Sequence, residues 1–261
     1  MVACVCIHVC TVTYLPLRDG YILTQSRDES PMRKAAEFPY YQNEGSVVFP
    51  KDMEAGGTWI GLRTNGATLC LLNGAFSPHV RKPPYRLSRG MVLLDALQKD
   101  TSTLFFDGYD TEGIEPFTLI AIECDSITVH RWNGSAIHSE SVPGNKPMIW
   151  SSVPLYSEAA RLEREKWFME WHASYWQPRH AHKDAEPEEN TLVQAARNFH
   201  YDGGQRDAYN GIMMDRAGMV RTVSVTTTCV LPNTVRMYYQ ARDQVGMTMA
   251  SVPDPEILSE K

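Results

Sequence analysis

Residues 8–30 read HVCTVTYLPLRDGYILTQSRDES, and this stretch decides the fold. From Cys10 the side chains alternate, so that Cys10, Val12 and Tyr14 share one face of a strand that Pro16 ends. The Asp19-Gly20 pair turns the chain, and YILTQSRD runs back as the partner strand. The pattern predicts an antiparallel hairpin that carries a thiol at its first position and returns Arg27 and Asp28 beside it.

Working outward, SVVFP, TWIGL and ATLCLLN (46–50, 58–62, 67–73) predict three more strands, the last two joined at Asn65-Gly66. Ser88 is placed to cap a helix to about Lys99, with Met91, Leu94 and Leu97 on one side. FTLIAIE, SITVHRW and PMIWSS add strands. Ser157 caps a helix over EAARLEREKWFMEWHA, with Leu162, Trp167 and Trp171 expected toward the core. Residues 177–190 predict a polar, mobile loop, and Asn190 a short helix to about Phe199. The chain closes with strands MVRTVSVTTTCV and TVRMYYQA. Strands, a helix, strands, two helices and strands in that order predict an α+β fold: two packed antiparallel sheets with helices outside.

The 261 residues are 43% hydrophobic and 21% charged, enough to bury a full core. A net charge of −6 argues against nucleic acid as the main partner, and no apolar run approaches the ~20 residues of a membrane span. Six cysteines are too sparse for a disulfide scaffold and match no zinc or iron–sulfur spacing. The expectation is a reduced, cytoplasmic protein with no metal and no transmembrane segment. His180 and His182 in the polar loop read as solvated, not as metal ligands.

Cys10 carries a chemical possibility if it is the mature N-terminal residue. Its α-amine, with an ordinary pKa of ~7.7–8.0, would take the proton of its own thiol, and the thiolate would attack a carbonyl. That chemistry also needs a group to orient the amine, an oxyanion donor and a cation. Asp28 returns on the paired strand, Asn73 ends the strand ATLCLLN, and Arg221 begins a late strand.

CTVTYLPLRDGYILTQSRDESPMRKA, AGGTWIGLRTNG, LLNG, SRG (88–90) and RTVS (221–224) together resemble the NRDE family, the transport and Golgi organization protein 2-like proteins. The resemblance runs from residue 10 over nearly the whole chain. It implies a four-layer αββα sandwich like that of the N-terminal-nucleophile (Ntn) hydrolases of the penicillin acylase and bile-salt hydrolase type. By that likeness Cys10 is the nucleophile, Asp28 the amine partner and Asn73 the oxyanion donor. Arg221 is the late arginine, with Arg27 as its rival. Ser26 stands at the Asn of the NRDE stretch, and Ser152 where the bile-salt hydrolases have a second Asn; both face the substrate side of the comparison. Trp59 of GGTW reads as a core residue at a backbone bend that also walls the site.

Residues 1–9 then read as an N-terminal extension, ahead of a GUG start at position 9 or removed as a propeptide by self-cleavage at Val9–Cys10. Residues 10–250 form one NRDE/Ntn-like domain and 251–261 a tail. The expected activity is cleavage of a small amide C–N bond, or acyl transfer, without a cofactor, on a small molecule with an apolar part. The alternative implied by the family is a non-catalytic protein that binds or traffics haem or an acyl lipid. The aromatic run Trp167, Phe168, Trp171, Tyr175, Trp176 is expected mostly in the core.

Overall fold

The computed structural model describes residues 9–123, 126–154, 156–180, 188–204 and 207–252. Among these, thirteen strands form two wholly antiparallel sheets. The first sheet has the order β10-β1-β2-β11-β12-β13, built from β1 (Val9–Leu17), β2 (Gly20–Glu29), β10 (Met148–Ser151), β11 (Arg221–Leu231), β12 (Thr234–Ala241) and β13 (Thr248–Ser251). The second runs β3-β4-β5-β6-β7-β8-β9: β3 (Glu37–Gln42), β4 (Val47–Lys51), β5 (Ile60–Arg63), β6 (Thr68–Asn73), β7 (Phe117–Glu123), β8 (Ser126–Trp132) and β9 (Ile137–Val142).

Strand alternation builds the layers. In β1, Cys10, Val12 and Tyr14 point between the sheets, where they pack with Leu23, Trp59, Leu72, Ile120 and Val129. Leu15 and Ile22 point the other way, against Phe168, Leu192 and Phe199 of the helices α3 (Glu158–Trp171) and α5 (Glu189–Asp202). β7 is buried throughout because both its faces are covered: Ile120 and Ile122 face the first sheet, while Phe117, Leu119 and Ala121 meet Val92, Leu93 and Phe105 of α1 (Arg89–Ala96) and α2 (Ser102–Phe106). The result is the helix–sheet–sheet–helix stack that the sequence predicts.

The strands that the sequence reading omits, β3, β9 and β13, are all sheet edges. β3 contains Pro39, which an edge tolerates, and IHSESV of β9 has no buried residue. Their apolar pattern is weak because each packs on one side only. β13 ends at Ser251, and Val252 is buried between the sheets.

Two helix expectations are corrected. Leu162 is 59% exposed, because the buried stripe of α3 is Ala160, Arg164 and Phe168. The Arg164 guanidinium fills that face by donating to Thr11 Oγ1 and to the carbonyl of Gly211 at 2.6 Å. The loop expected from residue 177 instead begins as helix: α3 passes through a π-helical turn (His172–Trp176) into α4 (Gln177–His180). Pro178 has no N–H to offer the preceding turn, and the wider turn accommodates it. Residues 181–187, including His182, lie outside the described residues. Of the aromatic run, Phe168 and Trp176 are buried, whereas Tyr175 is exposed and Trp167 and Trp171 are half-buried.

Candidate active site

One end of the sandwich encloses a cavity of ≈ 290 Å³ in which residues from distant parts of the chain meet. Cys10 enters from β1, Arg27 from β2 and Asn73 from the last position of β6. Trp59 closes the wall ahead of β5, and the segment leading into α1 supplies Arg81, Tyr85 and Arg89.

The wall depends on a close backbone approach between the GGTW and SRG stretches. A Cβ on Gly57 would lie 2.4 Å from the Gly90 carbonyl carbon, and one on Gly90 would lie 2.8 Å from the Thr58 carbonyl oxygen. Neither position has room for a side chain. The Thr58 N–H donates to the Gly90 carbonyl at 3.3 Å, and the Thr58 hydroxyl donates to the Pro50 carbonyl at 2.7 Å. Trp59 is thereby held against the cavity, and the Arg27 guanidinium lies 3.9 Å over its ring.

Cys10 is 6% exposed. Burial pushes its thiol up to about 12, and the charge of Asp28 adds to the rise. Arg27 and hydrogen bonds from the Asp28 backbone and the Gln25 side chain oppose it. The nitrogen of Cys10, joined to Val9, donates to Ser152 Oγ at 3.0 Å, and the Ser152 N–H returns a bond to the Cys10 carbonyl at 3.0 Å.

Asp28 lies on the opposite face of β2 from Arg27 and is fully buried. It accepts the Tyr156 hydroxyl at 2.7 Å and the Thr222 hydroxyl at 2.6 Å. Burial raises its carboxyl to about 6, against the pull of Arg164 and those two hydroxyls. Tyr156 is itself covered by the Arg164 guanidinium, 3.5 Å over its ring.

The structure thus brings Cys10, Arg27, Trp59 and Asn73 into one cavity, with Ser152 on the Cys10 nitrogen and Asp28 behind the strand. It does not bring Arg221 there. That side chain pairs with Asp243, and Arg27 is the arginine that lines the cavity. Ser26 also faces away, toward α5, where it meets His200 Nδ1 at 2.8 Å; Thr13 meets His200 Nε2 at 2.7 Å. Burial lowers the pKa of His200 to about 3, so it sits neutral between two hydroxyls. No group of three or more metal-ligating side chains occurs among the described residues.

Sequence reasoning missed Asp52, Glu115, Arg81, Tyr156 and Thr222. Asp52 ties Arg27 and Arg33 together at 2.7 and 2.9 Å, and its carboxyl is held down to about 2 by backbone N–H groups and both arginines, against burial. Glu115 does the same for Arg81 and Arg89 at 3.0 and 3.4 Å. Arg33 and Arg89 stand inside the motif stretches SPMRKA and SRG, which were the available signal.

A family model described as Transport and Golgi organisation 2 matches residues 5–229. Among curated proteins none matches the sequence significantly. Similar solved structures include penicillin V acylase from Agrobacterium tumefaciens, 10% identical, with a TM-score of 0.55 over 93% of this chain and 86% of that one. A mutant of conjugated bile acid hydrolase from Clostridium perfringens is 9% identical, TM-score 0.53, over 93% and 92%. The N-acylethanolamine-hydrolyzing acid amidase ortholog of Caenorhabditis elegans is 13% identical, TM-score 0.53, over 94% and 100%. At these identities the likeness establishes the Ntn-hydrolase fold. No helix among the described residues is long and apolar enough to cross a membrane.

Proposed function

The chain belongs to the Transport and Golgi organisation 2 family, and from that premise we propose that it is an Ntn-type amidohydrolase or acyltransferase that cleaves a small amide through Cys10. The observation that carries the reading is the meeting of Cys10, Asn73 and Arg27 in one cavity, the three groups that such chemistry needs at its centre. Release of the Cys10 nitrogen from Val9 gives the α-amine that serves as base. The amine takes the thiol proton, and sulfur bonds to the amide carbon. The Asn73 side-chain N–H stabilises the oxyanion. Collapse breaks the C–N bond, and the ammonium returns its proton to the leaving amine. Water, or an acceptor amine, then attacks the thioester carbonyl with the α-amine again taking the proton; the C–S bond breaks, releasing the acid or new amide, and the ammonium returns its proton to the Cys10 sulfur. Arg27 offsets the cost of a buried thiolate, and Asp28 and Ser152 orient the nitrogen.

A cavity of ≈ 290 Å³ lies at the lower edge of the ~300–1,000 Å³ typical of ligand pockets, which suits a compact substrate. Leu71, Leu87 and Tyr85 give it an apolar wall. The family's other reading, a binding protein for haem or an acyl lipid, is favoured by the nitrogen of Cys10 being an amide while Val9 is attached. Thiol chemistry separates the two. In a chain that begins at Cys10, where the free α-amine takes the thiol proton, iodoacetamide should alkylate Cys10, which lines the cavity, at neutral pH at least tenfold faster than Cys70 and Cys229, although all three are buried. Equal, slow alkylation of all three, with a haem titration that gives a tight Soret shift, would favour the binding protein.

A further inference from the structure

A groove of ≈ 870 Å³ runs between α3 and the end of α5 and shares no lining residue with the Cys10 cavity. Trp167, Trp171 and Tyr175 recur at every fourth residue, so their rings form one stripe along it. From Glu163 to Tyr175 the groove follows α3 and its π-helical turn for roughly 18 Å at the rise of an α-helix. The opposite backbone holds the stripe in place. α5 ends at Asp202, and Gly204 takes a left-handed φ of 68°. A Cβ on Gly204 would lie 2.3 Å from Trp167 Cζ3, so the indole rests directly on the glycine backbone. Trp171 stacks with Tyr175, with 5.9 Å between ring centroids and 20° between planes.

The rim of this aromatic floor is acidic. Glu163, Glu170, Asp202 and Asp207 line the groove, and among the described residues no lysine or arginine lines it. Lys166 reaches Glu170 at 3.8 Å, but the two side chains are 71% and 64% exposed, so the pair offsets little of the charge. Asp207 accepts the backbone N–H groups of Asn210 and Tyr209, each at 2.9 Å, which hold its carboxyl below the usual range and keep it ionised. The chain itself shows which cation suits the stripe. At its end the Arg179 guanidinium lies 4.1 Å over the Tyr175 ring.

We propose that this groove docks an arginine-bearing segment of a partner protein, whose guanidiniums stack on the Trp167–Trp171–Tyr175 stripe and pair with the carboxylates of the rim. A guanidinium meets both features at once, because its plane stacks on aromatic faces and its edge donates two parallel hydrogen bonds to a carboxylate. Carboxylates spread along the length of the groove favour several spaced charges over one. The proposal is independent of the chemistry at Cys10.

The test titrates the full chain into fluorescein-labelled hexa-arginine and reads fluorescence anisotropy at low salt. The peptide should bind with a Kd in the tens of micromolar, and Glu170→Gln/Asp202→Asn should weaken binding at least tenfold. Tyr175→Ala removes an exposed ring, which the fold tolerates, and should weaken it several-fold. Asp107→Asn/Glu112→Gln removes the same charge from exposed positions beyond α2, in the opposite helical layer, and should change the Kd less than twofold. Hexalysine and spermine should each bind several-fold more weakly than hexa-arginine. Equal losses in the groove pair and the remote pair, or full affinity in Tyr175→Ala, would reduce the contact to general charge attraction and overturn the proposal. Hexalysine or spermine binding as tightly as hexa-arginine, or no binding of hexa-arginine at millimolar concentration, would overturn it as well.

Discussion

Cys10 and Ser152 hold each other through two hydrogen bonds: the Cys10 N–H donates to Ser152 Oγ, and the Ser152 N–H donates to the Cys10 carbonyl, each at 3.0 Å. The pair is 142 residues apart in sequence. It places a side-chain oxygen on the one nitrogen whose chemistry the proposed mechanism depends on. When that nitrogen is a free amine, the same hydroxyl accepts one of its hydrogens and directs the lone pair.

Ser152→Ala removes that acceptor while leaving the backbone bond in place. In a chain that begins at Cys10, kcat should fall about tenfold, the loss of roughly one oriented hydrogen bond of ~1.4 kcal/mol. Ser152→Thr should restore most of it. Steady-state kinetics on a turned-over amide decides the point; an alanine variant at full activity would remove Ser152 from the mechanism.

In the proposed mechanism Asn73 stabilises the oxyanion. Asn73→Ala should lower kcat by about 10²–10³ with KM little changed, as for loss of an oxyanion donor. A variant that loses binding and kcat in parallel would make Asn73 a binding residue instead.

Asp28 makes a prediction about stability. Its carboxyl sits at about 6 in the folded protein against 3.8 as the ordinary value. The native state therefore holds the proton to higher pH than the unfolded chain. The associated stability is complete below about 3.8 and is lost as pH rises to about 6, a change on the order of 3 kcal/mol. His200 and His130, lowered to about 3 and about 4, act with the opposite sign over an overlapping range. The Asp28 contribution is thus read as a difference. The stability of wild type minus that of Asp28→Asn, from urea unfolding, should fall between pH 4 and pH 7. A difference independent of pH would contradict a buried, titrating Asp28.

Much of this was legible in the sequence, and the particular residues show why. Cys10, Arg27 and Asn73 sit at strand positions that period-two alternation and turn residues identify, so their meeting follows from pairing two sheets. Ser26 illustrates the limit. It neighbours Arg27 in sequence, yet alternation turns it to the helical side, where only His200 of α5 explains its burial. Arg221 shows the same limit at longer range: its position opposite Glu29 follows from the register of β11 against β2, and its pairing with Asp243 from a turn two strands on. Asp52 and Glu115, which organise the four arginines, follow strand β4 and precede strand β7 as ordinary charged residues with no local pattern. Tertiary placement alone gives them their role.

The central claim is that Cys10 acts through its own amine, and it is tested most directly by the intact mass and N-terminal sequence of the protein isolated from its own host. The account predicts a mature chain that begins at Cys10. A mature chain in which Val9 remains joined to Cys10 would contradict it, because an amide nitrogen cannot take the thiol proton.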